Sequence, residues 1–182
     1  MEEAVGHGMG LSDAFEVAHS RVRADQETRP DFRDMGTTLV AVLERDHDFE
    51  LAWVGDSRAY RYSGARQVLE CLTRDHNIAG RLLAAGNITA EQARAHPQRN
   101  VLTDCIGQRD RLPTIELERH QWRQGDRLLL CSDGLSGELT DTEIADWLGG
   151  ERDRRRVADG LLRGAMNAGG RDNISLILLD PP

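Results

Sequence analysis

Three aspartates in this sequence share one setting, the boundary between an apolar run and a turn. Asp56 follows LAWVG, Asp133 follows LLLCS, and Asp172 precedes NISLILL. A carboxylate at the end of a buried strand is costly unless something neutralises it. If the strands bearing Asp133 and Asp172 run antiparallel side by side, the C-terminal end of one lies beside the N-terminal end of the other, and the carboxylates converge. Converging carboxylates repel, and one pKa rises unless a cation holds them. Hard divalent ions with oxygen ligands, Mg2+ or Mn2+, fit that need. Taken singly, each aspartate also reads as a plain turn residue beside glycine. Three such aspartates, with glycines that admit close backbone approach, keep the metal reading beside the turn reading.

The elements that must position these residues follow from periodicity. Leu11, Ala14, Phe15, Ala18 and Val22 recur at helical spacing and predict a helix over 12–26 with Ser12 as its N-cap. Residues 28–34 read as a polar loop. TTLVAVLE and FELAWVG predict an antiparallel hairpin across ERDHD, and AYRYSGARQVLECLT a second one turning at Ser63-Gly64. Residues 76–95 look helical with a break at Gly86 and lead into the HPQRN loop. RLPTIELERHQW and DRLLLCS are two further strands joined by a turn at Gln124-Gly125. Thr140 and Glu143 form a capping box for a helix reaching Leu148. Residues 154–168 make a longer helix stopped by Gly169-Gly170, and NISLILLD is a final strand. Hairpins with helices at the start, middle and end predict an α+β fold with a largely antiparallel sheet arrangement, sheet packed on sheet being one way to bury the strands.

Composition bounds the function classes. A chain of 182 residues is about one domain in size and buries roughly two thirds of its unfolded surface. A net charge of -8 argues against nucleic-acid binding, which needs a basic surface. No run approaches the roughly 18 apolar residues of a membrane helix, and the acidic, glycine-rich MEEAVGHGMG does not resemble a secretory signal. A cytoplasmic location, with neither membrane nor nucleic acid as partner, is the expectation. Cys71, Cys105 and Cys131 are odd in number and widely spaced, and read as reduced thiols acting as small apolar residues. All 23 basic residues are arginine, which suggests a codon-biased genome more readily than a function, although arginine also suits bidentate phosphate recognition.

MGTTLVAVL (35–43), AWVGDSRAYRY (52–62), LTRDHN (72–77), HPQRNVLTDCIG (96–107), GDRLLLCSDGLSGELTDTEI (125–144) and GGRDNISLILLD (169–180) occur together and in order. They closely resemble the bacterial branch of the metal-dependent PPM, or type 2C, serine/threonine protein phosphatases, from about residue 12 to 180. The resemblance implies a single domain over 1–182: a β-sandwich of two mostly antiparallel sheets flanked by helices, N-terminally incomplete, with residues 1–11 as a flexible N-terminus. It implies hydrolysis of phosphoserine and phosphothreonine in proteins by a metal-activated water, with phosphorylated proteins and a serine/threonine kinase as functional partners. Two Mn2+ or Mg2+ ions are implied, and a third weaker one. Asp133 and Asp172 match the family's catalytic metal ligands, Asp56 its third-metal aspartate, Gly134 a close backbone approach, and residues 77–112 a mobile flap used in substrate recognition.

The departure lies at the N-terminus. The family's Asp-Gly-Met-Gly-Gly loop, whose aspartate bridges both metals, and its phosphate-clamping arginine are not matched, and GHGMG (6–10) reads as a flexible lead-in. Two expectations follow: a longer natural protein starting upstream of Met1, or a truncated or degenerate non-catalytic binding module. His76, His96 and His120 read as surface or capping groups. Arg58, two residues after Asp56, is expected on the same strand face, in a structural salt bridge or against substrate. Arg99 in the flap is a second substrate candidate. Trp53, Trp122 and Trp147 read as core or inter-element packing residues.

Overall fold

The computed structural model describes residues 10–181. The reading of GHGMG therefore falls almost wholly outside the described residues, although Leu11 is structured and buried. Two compact units are present, Met1–Asp56 with Asp75–His120, and Ser57–Arg74 with Gln121–Pro182.

The first unit opens with α1 (Leu11–Thr28), which begins at Gly10 rather than at a Ser12 cap and continues two residues past the predicted end. Leu11 and Phe15 are fully buried with Ala41, Ala52, Val54 and Ile106, each large side chain contributing about 1.5–3 kcal/mol through burial. Two polar residues share the buried face of α1. His19 Nδ1 accepts from Gly107 N at 3.1 Å, and Gln26 Nε2 donates to Gly107 O at 2.9 Å and to Met35 O. Gly107 sits at φ +91°, a conformation that suits glycine. Burial, then the nearby Arg23 charge, lowers the His19 pKa, consistent with a neutral ring that accepts at Nδ1.

The polar loop expected after α1 contains a short 3-10 turn, Pro30–Phe32. Strands β1 (Leu39–Arg45) and β2 (Asp48–Val54) then pair antiparallel from Leu39↔Val54 to Arg45↔Asp48. Their turn is the dipeptide Asp46-His47, tighter than the predicted ERDHD, with Asp46 at φ 53°. The helical stretch splits at Gly86, as expected, into α2 (Ile78–Ala84) and α3 (Ala90–Arg94). Asn77 caps α2, and Thr89 with Gln92 forms a capping box on α3. Strand β5 (Glu116–Gln121) completes a three-stranded sheet in the order β1-β2-β5.

The second unit holds β3 (Arg58–Ser63), β4 (Val68–Cys71), β6 (Asp126–Cys131) and β7 (Leu176–Leu179) in the order β4-β3-β6-β7, with every neighbouring pair antiparallel. Between β6 and β7 the chain forms α4 (Asp133–Ser136), α5 (Asp141–Gly150) and α6 (Arg154–Ala168). The Ser-Asp-Gly-Leu segment, read as a strand-end turn, is therefore one turn of helix. The capping box on α5 and the glycine stop of α6 are as expected. Tyr60, Leu129, Leu135, Ile144, Leu148, Val157 and Leu161 form the core of this unit. Arg127 caps the end of α5 by donating to Leu148 O and Glu151 O.

Strands β5 and β6 follow one another in sequence but join different sheets. Asp126 pairs with Ser63 of β3, and Gly64 N donates to Gly125 O at 3.0 Å, so the Gln124-Gly125 turn is a crossover rather than a hairpin. The residues Gly55-Asp56-Ser57 make the same kind of crossing between β2 and β3. One further expectation is corrected. Cys71 is exposed, with Sγ 3.4 Å from Thr73 O, because β4 is an edge strand. Trp147 packs between elements as expected: 38% exposed, it lies against the bare face of Gly160, where a Cβ would come within 2.3 Å of its ring. Trp53 is fully buried.

Asp104 is a buried anion within the segment 77–112. Its carboxylate accepts from Arg81 at 3.0 Å and from Thr114 N at 2.9 Å, and pairs with Arg111 at 2.8 Å. Burial alone would raise its pKa, but the bonds from Arg111 and Thr114 outweigh that and hold it at about 2. A depressed folded-state pKa contributes stability above the unfolded value of about 3.9, and the contribution is lost as pH falls toward 2. Asp104→Asn is expected to destabilise the chain by about 1–3 kcal/mol near neutral pH, with the gap from wild type closing as pH drops from about 4 to about 2. Urea denaturation at stepped pH checks this, and a gap independent of pH would contradict it.

Candidate metal centre

The β6 and β7 ladder runs from Leu128↔Leu179 to Cys131↔Leu176. Past the strands it continues through Ser132 N to Ser175 O at 3.0 Å. The Ser132 hydroxyl accepts from Ser175 N at 3.0 Å and donates to Asn173 O at 3.2 Å. Asp133 therefore leaves one strand at the end where Asp172 and Asn173 enter its neighbour, as the antiparallel expectation required. At Gly134 a Cβ would lie 2.2 Å from Asn173 O. No side chain larger than hydrogen fits there without moving backbone, so glycine keeps the two segments in direct contact.

Asp172 is turned toward its own chain, accepting from Asn173 N at 2.7 Å through Oδ1. The loop before it is held by Arg171, which grips Glu138 in two bonds of 2.8 and 3.0 Å. Asp133 is half-buried and Asp172 exposed. Sequence reasoning did not single out Ser132, Glu138 or Arg171. The bidentate geometry of Arg171 with Glu138 is legible only once residues 33 apart are in contact.

Asp56 sits in the first unit, in the bend after β2, and is 8% exposed. Gly55, at φ +106°, ends the strand, and β3 begins at Arg58. Asp56 thus lies outside any strand, and the expected shared strand face with Arg58 does not exist. Arg58 instead donates to the Tyr60 hydroxyl at 2.9 Å, and that hydroxyl lies 3.4 Å from Asp141 Oδ1. Burial pushes the Tyr60 phenol well above its usual range. Arg99 is exposed in the loop after α3, its backbone N donating to His96 O at 3.1 Å.

The histidines divide. His96 caps its loop, accepting from Gln98 N at 3.1 Å. His76, read as a surface or capping group, is not at the surface: it is 8% exposed, accepts from Gly55 N through Nδ1 at 3.3 Å, and places Nε2 3.5 Å from Glu116. His120 stacks on Phe49 with ring centroids 5.2 Å apart, against the surface reading.

Among the described residues no three His, Cys, Asp or Glu side chains form a group that could hold a metal ion. What the β6 and β7 junction offers is a pair of carboxylates. Their all-oxygen chemistry fits one hard divalent cation completed by water, and at Gly134 the lack of a Cβ lets the backbone lie directly against Asn173. No helix among the described residues is long and apolar enough to cross a membrane.

The sequence model of the protein phosphatase 2C family matches residues 3–150. Protein phosphatase PhpP of Streptococcus pneumoniae is 40% identical over 152 residues, covering 81% of this chain and 59% of that protein. The chain therefore spans less than two thirds of that curated relative. The crystal structure of the Mycobacterium tuberculosis serine/threonine phosphatase PstP/Ppp matches with a TM-score of 0.83 at 34% identity, covering 93% of this chain and 70% of that one. The catalytic domain of PstP in complex with 2 manganese ions matches with a TM-score of 0.76 at 32% identity, covering 89% and 66%. With two antiparallel sheets and their helices in the structure, and a family match over four fifths of its length, this chain belongs to the protein phosphatase 2C family.

Proposed function

We propose that this chain carries out metal-dependent hydrolysis of phosphoserine and phosphothreonine in proteins, acting as a single phosphatase-type domain with residues 77–112 as its flap. The observation that carries the reading is the junction of β6 and β7, where Asp133 and Asp172 stand at adjacent strand ends with Gly134 tight against Asn173. In this reading Asp133 and Asp172 hold Mn2+ or Mg2+, two ions being the family expectation, and Asp56 helps hold a third. Divalent cations bound there would supply charge neutralisation for a phosphate group and would acidify water.

The rest is the work of this chain's own groups. Ser132 fixes the backbone that carries Asp133, through its bonds to Asn173 and Ser175. Glu138 and Arg171 fix the approach to Asp172. Arg99, exposed in the flap, is the group we assign to phosphoprotein substrate, with Arg58 as the second candidate. A cytoplasmic setting, with phosphorylated proteins and a serine/threonine kinase as functional partners, follows from the same reading.

The purified chain is expected to hydrolyse p-nitrophenyl phosphate with millimolar Mn2+ and to lose that rate in Asp133→Ala. No turnover by the wild-type chain under those conditions would overturn activity in this form. Gly134→Ala is expected to cost about 1–3 kcal/mol of stability by overpacking and to weaken Mn2+ binding; thermal melts with and without Mn2+ read both. A variant as stable as wild type with unchanged Mn2+ stabilisation would show that the close approach at Asn173 is not needed.

A further inference from the structure

Glu138 follows the short helical turn that begins at Asp133, and its side chain is only 5% exposed, while that of its partner Arg171 is 69% exposed. Oε1 of Glu138 accepts from Arg171 N at 3.3 Å and from Nε at 2.8 Å, and Oε2 accepts from Nη2 at 3.0 Å. Backbone and side chain of one residue thus converge on one carboxylate. A two-pronged guanidinium bond is the strong form of such a pair, and a carboxylate this buried is costly without its partner. The bonds from Glu138, and then its charge, raise the Arg171 pKa.

Both partners are held in place. Gly137 N donates to Asp133 O at 2.7 Å and Glu138 N to Leu135 O at 3.1 Å, so the turn that carries Asp133 also sets the Glu138 backbone. On the other side, Gly170 N donates to Ala165 O at 3.1 Å at the end of α6. A Cβ at Gly169 would lie 2.8 Å from Glu138 Oε2, so the carboxylate is seated against bare backbone. Arg171 is the one basic residue in segments 132–142 and 169–180, and it stands next to Asp172. A guanidinium on a flexible stem binds a carboxylate within reach through the same fork. Released from Glu138, Arg171 would have the exposed Asp172 carboxylate beside it, and would take up oxygens that a hard divalent ion needs.

We propose that Glu138 is a positioning residue of the β6 and β7 junction: by holding the Arg171 guanidinium it keeps that cation off Asp172 and leaves Asp133 and Asp172 open to a divalent ion. The cation part of this inference rests on the proposed metal role of Asp133 and Asp172, and the part concerning Arg171 does not. A residue that only braced the loop would lose its effect equally whichever partner of the pair was removed. A residue that holds Arg171 away has its loss repaired when Arg171 is removed as well.

The test uses the full chain, with Mn2+ binding followed by water-proton relaxation and the Arg171 Nε–H signal followed by NMR. In Glu138→Ala the affinity of the Asp133-dependent Mn2+ is expected to fall about tenfold, and adding Arg171→Ala is expected to return most of it. Glu138→Gln, which keeps the shape of the side chain, is expected to move affinity in the same direction by a smaller factor. Unchanged affinity in both single variants, or a double variant as weak as Glu138→Ala, would overturn the proposal and leave Glu138 a structural brace. Without metal, the Arg171 Nε–H is expected to stay protected from exchange in Glu138→Ala, now by Asp172, and to lose protection when Asp172→Asn is added. This signal separates a contact from the mere loss of one negative charge nearby. Loss of protection already in Glu138→Ala would overturn the idea that Arg171 turns to Asp172. If Asp133→Asn leaves Mn2+ binding untouched, the cation part fails with the metal reading, and the Nε–H signal alone decides whether Glu138 holds Arg171 off Asp172.

Discussion

The antiparallel pairing of β6 with β7 is the interaction on which the site depends. Its ladder sets which residues leave the two strands at the same end, and a slip of one residue would turn the apolar side chains of both strands to their wrong faces. Leu129 and Cys131 on one face of β6 belong to the core of the second unit, while Leu128 and Leu130 on the other face are also buried. The observed register is that of the Leu128↔Leu179 to Cys131↔Leu176 pairs. Once it is set, Ser132, Asp133 and Gly134 meet Asn173 and Ser175 without further choice, and the carboxylate placement is a by-product of apolar packing.

Polar groups buried in the first unit divide the labour differently. His19 and Gln26 hold Gly107 against α1, Asp104 gathers Arg81, Arg111 and Thr114, and Asn77 joins α2 to the Asp56 bend. Each of these satisfies backbone or charge that regular secondary structure leaves open, in a segment whose helices are only seven and five residues long. Helices that short do not hold themselves in water. The segment 77–112 therefore draws its order from caps and ion pairs, which reverse at lower cost than a hydrophobic core.

Much of this architecture was legible in the residues. The six ordered motifs identified the family. The break at Gly86, the capping box at Thr140 and the glycine stop after Ala168 fell where local chemistry put them, because a cap or a left-handed glycine acts over three or four residues. The hairpin of β1 and β2 was legible for the same reason, although its turn closed on two residues instead of five. Surface histidines were the poorer expectation. His76 and His120 are drawn inward by partners distant in sequence, Gly55 and Phe49, which nothing local announces.

The sequence by itself determined which residues carry charge at strand ends, where helices start and stop, and to which family the chain belongs. It also determined that Gly134 must be small, although not against what. Tertiary structure alone decided that β5 and β6 part company across the Gln124-Gly125 turn, that Asp56 stands in a bend held by Asn77 rather than on a strand beside Arg58, and that Glu138 and Arg171 brace the loop before Asp172. The physical reason is one of range. Propensity, capping and periodicity are written within a turn or two of the chain, whereas sheet partnership and the pairing of buried polar groups are settled by which distant apolar surfaces close over one another.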